Sequence, residues 1–181
     1  MSDLVLIPYA EIDGNWTIPD EVMRGLYRLM VQEGTEMIVY YSGTVRSEED
    51  FIKSCRPPIS NTVLIVKEEG EPVGIGWLNN FNASSAHCHW VCFKRHWGTG
   101  RTDKAIKKVL SYWFGLESDG RPLFNILLGI YPAENEDIHS FAQRAGFTIV
   151  GEIPNLLYNY WDKRMVGAVI SYIERGTVCH L

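Results

Sequence analysis

The sequence predicts an α/β or α+β chain built on a mixed sheet with helices on both faces. Three observations predict it. Apolar runs bounded by turn residues form hairpin patterns toward both ends, over 62–78 and 147–173. Between them a strand, a helix and a strand alternate from 87 to 131. Tight turns join the early strands, which argues against a doubly wound parallel sheet. With 181 residues, 46% of them apolar and 22% charged, the chain suits one domain over 1–181.

Each element follows from local pattern. Leu4 to Pro8 is a short apolar run, read as an edge or first strand. Residues 9–19 are loop-like, with Asp13-Gly14 and Pro19. Val22, Leu26, Leu29 and Met30 fall on one helical face, and Gly34 closes that helix. Met37 to Tyr41 reads as a weak strand or a helix extension. Ser47-Glu48-Glu49-Asp50 is a capping box that opens a short helix, stopped by Pro57-Pro58. Thr62 to Lys67 and Pro72 to Leu78 make a hairpin around Glu68-Glu69-Gly70-Glu71. Asn79 to Ser85 reads as loop, and His87 to Lys94 as strand. Ala105, Ile106, Val109, Leu110, Trp113 and Phe114 form an apolar helical stripe. Leu123 to Tyr131 is a buried-looking strand. Glu134 to Ala145 is a helix with Ile138, Phe141, Ala142 and Ala145 inward. Phe147 to Ile153 and Met165 to Ile173 complete the set.

Composition narrows the function classes. A net charge of −5 argues against wholesale nucleic-acid binding. No apolar run approaches the roughly 20 residues that span a bilayer, so no membrane partner is expected. The N-terminus lacks a basic segment followed by a long apolar one, so the expected location is cytoplasmic. Cys55, Cys88, Cys92 and Cys179 lack a disulfide-framework spacing and read as free thiols.

One segment stands apart in charge. Lys94, Arg95, Arg101, Lys104, Lys107 and Lys108 face only Asp103, a local excess of five positive charges in an acidic chain. Gly98 and Gly100 lie where a strand gives way to a helix. Amides at a helix start have no intrahelical acceptor and carry the positive end of the dipole. Glycine lets a phosphate reach them without a Cβ in the way. This is a layout for a polyanion such as coenzyme A.

Arg95-His96-Trp97-Gly98-Thr99-Gly100 resembles the pyrophosphate loop of the GNAT N-acetyltransferases. That loop runs Arg or Gln, two variable residues, Gly, one variable residue, then Gly or Ala. The longer segment 95–114 is similar to the ribosomal-protein N-acetyltransferase branch. Trp97-Gly98-Thr99-Gly100, Ala105, Leu110, Tyr112 and Phe114 fill its places. A second family feature is an Asn twelve residues before the Phe of a Gly-Phe pair, matched by Asn135 and Gly146-Phe147. The resemblance is good over roughly residues 62–153.

The resemblance implies a central, mostly antiparallel, splayed sheet of six to seven strands. It implies acetyl-CoA as cosubstrate and transfer of its acetyl group to an amine. The acceptor would be a small-molecule amine or a protein N-terminus, and the enzyme a monomer or homodimer. The sheet would open between the strands 87–94 and 123–131. Pantetheine would lie in the gap against backbone groups near Val91 and Phe93. The pyrophosphate would rest on the Arg95-His96-Trp97-Gly98-Thr99-Gly100-Arg101 segment, on N–H groups of residues 96 to 101. Thr102 would add a hydroxyl, and Asn135 would meet the cofactor near the thioester or pantetheine. There is one departure. The tyrosine that many members use to protonate the departing thiolate corresponds to Ala142.

Amines attack a thioester only when neutral, so a base is needed, directly or through water. Strand amides would stabilise the developing oxyanion. His87 and His89 share one face of their strand and are the base candidates. Tyr158 and Tyr160 are candidates for the missing acid, and Trp16 and Trp161 for walls of the acceptor pocket. His87-Cys88-His89 with Cys92 suggests metal ligands, but alternation puts histidines and cysteines on opposite faces, so no metal is expected. Cys179-His180 reads as an unstructured tail. The competing reading is a GNAT-fold binding or assembly protein without catalysis, still able to hold CoA.

Overall fold

The computed structural model describes residues 4–67 and 70–178. Turn residues 68–69 of the first hairpin and the Cys179-His180 tail lie outside them. The main sheet has seven strands, ordered β1-β4-β5-β6-β9-β11-β10. They are β1 (Leu4–Pro8), β4 (Asn61–Lys67), β5 (Pro72–Asn82), β6 (Ser85–Cys92), β9 (Ile126–Pro132), β10 (Thr148–Asn159) and β11 (Arg164–Glu174). β2 (Glu11–Ile12) with β3 (Asn15–Trp16), and β7 (Glu117–Ser118) with β8 (Arg121–Pro122), are small separate hairpins. All pairings in the main sheet are antiparallel except β6 with β9.

The helices cover both faces. On one lie α1 (Asp20–Glu33), α2 (Glu36–Val39) and α3 (Glu48–Cys55). Their Met23, Tyr27, Met30 and Phe51 pack on Leu64, Ile75, Trp77 and Phe93. On the other lie α4 (Arg101–Phe114) and α5 (Glu136–Arg144). There Ala105, Val109, Trp113 and Ala142 pack on Val63, Val73, Cys88 and Leu127. The α4 stripe is buried as its periodicity predicts, each large side chain contributing about 1.5–3 kcal/mol. The last helix is the short α6 (Arg175–Val178).

Several elements differ from the sequence reading. Of the two readings for Met37 to Tyr41 the helical one holds, as a separate short helix over Glu36–Val39 rather than a continuation of α1. On α1 the buried face is Met23, Leu26, Tyr27 and Met30, and Val22 is exposed, because the helix turns its more apolar side to Phe51. Residues 9–19 contain the β2–β3 hairpin around Asp13-Gly14, both at positive φ. β5 and β6 extend through most of the polar stretch 79–85. The Ser47 cap forms as expected, its Oγ accepting the Asp50 N–H at 3.1 Å.

One local feature positions everything that follows. β6 and β9 pair in parallel at Ser85–Ile126, Ala86–Leu127 and His87–Leu128, and then diverge. The sheet forks there, between the two strands expected to splay.

Candidate active site

The loop after β6 builds an anion cradle. A 3₁₀ turn over Lys94–His96 leads into Gly98 and Gly100, at φ +68° and +70°. Only glycine holds that conformation without strain. A Cβ on either would meet nothing within 4 Å, so the cradle is open. Gly100 is the cap of α4 and offers no side-chain oxygen to its amides. Among the described residues, the N–H groups of Gly98, Thr99, Gly100, Thr102 and Asp103 make no hydrogen bond. Such a run of bare amides at a positive helix end fits a diphosphate.

The cradle begins later than the sequence reading placed it. The His96 and Trp97 N–H groups are committed to the Phe93 and Lys94 carbonyls, closing the 3₁₀ turn. The His96 ring is buried, with Nε2 3.2 Å from the Pro72 carbonyl and 3.5 Å from Glu71 Oε1. Arg95 is likewise turned toward Glu71 and Pro72. The Trp97 indole donates to the Cys92 carbonyl at 2.8 Å and fixes the loop to the strand. The Thr99 hydroxyl donates to the His96 carbonyl. Arg101 and Thr102 sit in the first turn of α4, at the open side of the cradle.

The backbone facing the fork also differs. The Phe93 N–H bonds the Val73 carbonyl at 3.0 Å. Antiparallel ladders alternate, so Phe93, Val91, His89 and His87 direct their backbone groups toward β5. The groups on the fork side belong to Cys92, Trp90 and Cys88. Val91 and Phe93 are thus neighbours of the gap rather than its lining.

His89 stacks on Trp77 at 5.3 Å, and Trp77 stacks on Tyr40. Its Nε2 is 3.0 Å from Asn79 Oδ1, which selects the Nε2–H tautomer and leaves Nδ1 as acceptor. Burial, aided by nearby His87, lowers its pKa to about 4, so it is neutral at pH 7. His87 stands at the last paired position of the fork. Its Nδ1 is 3.4 Å from Asn80 Nδ2, and burial lowers its pKa too. The cysteines lie on the opposite face. Burial pushes the Cys88 thiol up, and the Cys92 thiol to about 12, so neither is a ready nucleophile. Among the described residues no three His, Cys, Asp or Glu side chains converge as metal ligands.

Beyond the carboxyl end of β9 lies a cavity of about 490 Å³. Met37, Ile38 and Tyr41 line one side, and Glu134, Asn135, Glu136 and Asp137 another. Asn159, Trp161 and Asp162 complete it from the β10–β11 turn. Asn135 caps α5, its Oδ1 accepting the Ile138 N–H at 3.1 Å. Arg164 pairs with Glu134 and lies 3.9 Å from Asp162. Four carboxylates against one guanidinium leave the cavity strongly negative.

Trp161 lines this cavity, with its indole held by the Tyr40 carbonyl at 3.2 Å. Trp16 does not. It stands on β3, packed on Tyr9 and under Arg56, in a hairpin where the sequence predicts loop. Tyr158 and Tyr160 also stand away from the fork, because β11 separates their strand from β9. Tyr158 is exposed on β10. Tyr160 anchors the turn instead: its N–H bonds the Tyr41 carbonyl, its hydroxyl accepts from Arg46, and its ring lies over Gly43.

The profile of the acetyltransferase (GNAT) domain family matches residues 15–148, most of the chain. The chain belongs to that family. It is an N-acetyltransferase, and acetyl-CoA is its acyl donor. Solved structures share its fold. A chimera of spermidine N-acetyltransferase SpeG from Vibrio cholerae with hSSAT superposes with a TM-score of 0.74 at 16% identity, covering 99% of this chain and 100% of that one. Spermidine N-acetyltransferase from Vibrio cholerae in complex with CoA and spermine gives 0.73 at 15% identity, covering 96% and 98%. A search of the curated proteins found no match. Among the described residues no helix is long and apolar enough to cross a membrane.

Proposed function

We propose that the chain acetylates a small-molecule amine carrying more than one positive charge. The observation that carries this is the negative cavity at the end of β9. Glu136 and Asp137 stand in the first turn of α5, where the helix dipole favours their charge. Trp161 and Tyr41 offer aromatic surfaces suited to an ammonium group. A second ammonium held among the carboxylates would steer the reacting one toward the fork. The complex of the Vibrio cholerae enzyme with CoA and spermine supports the same class of acceptor.

The residues divide the work. The bare amides of Gly98, Thr99, Gly100, Thr102 and Asp103 hold the diphosphate of the donor, with the Arg101 and Thr102 side chains beside it. The fork-side groups of Trp90 and the Cys92 N–H face the pantetheine, the Cys92 carbonyl being held by Trp97, and the Nδ2 of Asn135 lies at the cavity end of that path. Bound acetyl-CoA supplies an activated acyl carbon. His89 Nδ1, neutral across the physiological range, accepts a hydrogen bond from the amine or from a water between them. His87, closer to solvent, passes the proton outward. A protein N-terminus is the other acceptor class that the sequence leaves open. Within Trp97-Gly98-Thr99-Gly100, Trp97 fastens the loop to Cys92, so the motif serves the cradle.

Thiol release with acetyl-CoA tests the proposal across diamines and polyamines, monoamines, and peptides with free N-termini. Saturable turnover of polyamines, with KM rising with salt, is expected. Turnover confined to peptides would overturn it.

A further inference from the structure

The departing thiolate needs a proton, and the helix position that would supply a phenol is Ala142. One phenol close by has no assigned role. Tyr131 lies on β9, three residues beyond Leu128, the last residue paired with β6, so it borders the opened fork. It is 7% exposed, and its hydroxyl is buried without a hydrogen-bond partner. Its side chain belongs to the α4–α5 side of the core, in the same cluster as Ala142. Its ring meets His139 edge-on at 6.4 Å, one turn before Ala142 on α5. From the other bank of the fork, Trp90 packs on Phe141 of the same helix and on Phe147 just beyond its end.

A buried hydroxyl left unpaired costs about 1–3 kcal/mol. Resting on the placement of pantetheine in the fork, we infer that the Tyr131 hydroxyl hydrogen-bonds the donor sulfur and protonates it as it leaves. The amine nitrogen bonds the acyl carbon, the carbon–sulfur bond breaks, and the Tyr131 proton passes to sulfur to give the thiol. The amine's surplus proton, released to solvent through the histidine side, is balanced by one that returns to the tyrosinate. Burial raises the Tyr131 pKa, which keeps the phenol protonated before turnover. An alanine stands on α5 where the family carries a tyrosine, and a tyrosine stands on β9 in the same core cluster, so the acid arrives from the strand.

Calorimetry with CoA and with desulfo-CoA, which lacks the sulfur atom, tests this without any acceptor. Wild type should bind CoA about fivefold more tightly than desulfo-CoA, the worth of one hydrogen bond. Tyr131→Phe should bind both alike, and in turnover assays should lose about a hundredfold in kcat. A Tyr131→Phe protein of unchanged melting temperature that keeps the preference for CoA would overturn the inference while leaving the cradle intact. Failure of wild type to bind either compound at millimolar concentration would overturn the donor placement itself.

Discussion

Two helices begin within reach of the fork, and they begin in opposite ways. α4 starts from Gly100 at positive φ, with no side-chain cap and basic residues around it. α5 starts from Asn135, which caps its own helix, and carries Glu136 and Asp137 in the first turn. Both carry the same dipole. One leaves its amides bare and gathers cations, so it suits an anion. The other satisfies an amide internally and presents carboxylates, so it suits a cation. A helix start is therefore not a site by itself; the cap residue and the first-turn charges decide what it receives.

The strongest way to break this contrast is to take the glycines from α4. Gly98→Val with Gly100→Val strains two left-handed positions by about 1–2 kcal/mol each. Calorimetry should show CoA affinity falling about a hundred- to a thousandfold, and unchanged affinity would remove the cradle from the account. An acid titration sets the baseline for both helix starts. His89 has a folded pKa of about 4, below the unfolded 6.5, so the unfolded chain takes up that proton first. Stability is complete above pH 6.5 and declines toward pH 4, by roughly 3 kcal/mol from this group. Urea unfolding across that range should show the slope, and His89→Phe should flatten it.

At the other helix the effects should be smaller. Glu136→Gln with Asp137→Asn should raise KM for a polyamine about tenfold at low salt, leaving CoA affinity alone. Steady-state kinetics paired with calorimetry would separate the two ends, and an equal loss at both would erase the distinction. The smallest change is Asn135→Ala, which removes the cap that α4 lacks. It should cost about 1 kcal/mol, read as a lower melting temperature.

The sequence was informative wherever the chemistry is local. Gly98, Gly100, the basic residues and the α4 stripe sit within twenty residues of one another, and their arrangement follows from spacing. Distant contacts were not legible. Whether Val91 or Trp90 turns its amide to the fork depends on the register of β6 against β5, whose partners Ile75 and Gly76 lie sixteen and fourteen residues away. His96 is withdrawn from the loop by Pro72 and Glu71. The acidic cavity joins residues 34–41 to 159–162, a juxtaposition that no periodicity records. Tyr131 read as one more apolar residue of a buried strand, and only its unpartnered hydroxyl sets it apart. The β2–β3 hairpin was legible in principle, since Asp13-Gly14 is a turn signal.

The three-residue pairing of β6 with β9 makes the seven-stranded sheet two shorter sheets, of four and three strands, meeting at a seam. A donor lying along that seam offers amide groups of its own and acts as a splint between the halves. Its free concentration then raises the melting temperature of the chain, and amide exchange in β9 slows as it binds. Rigidity becomes a readout of acyl-donor supply, present before any acceptor arrives.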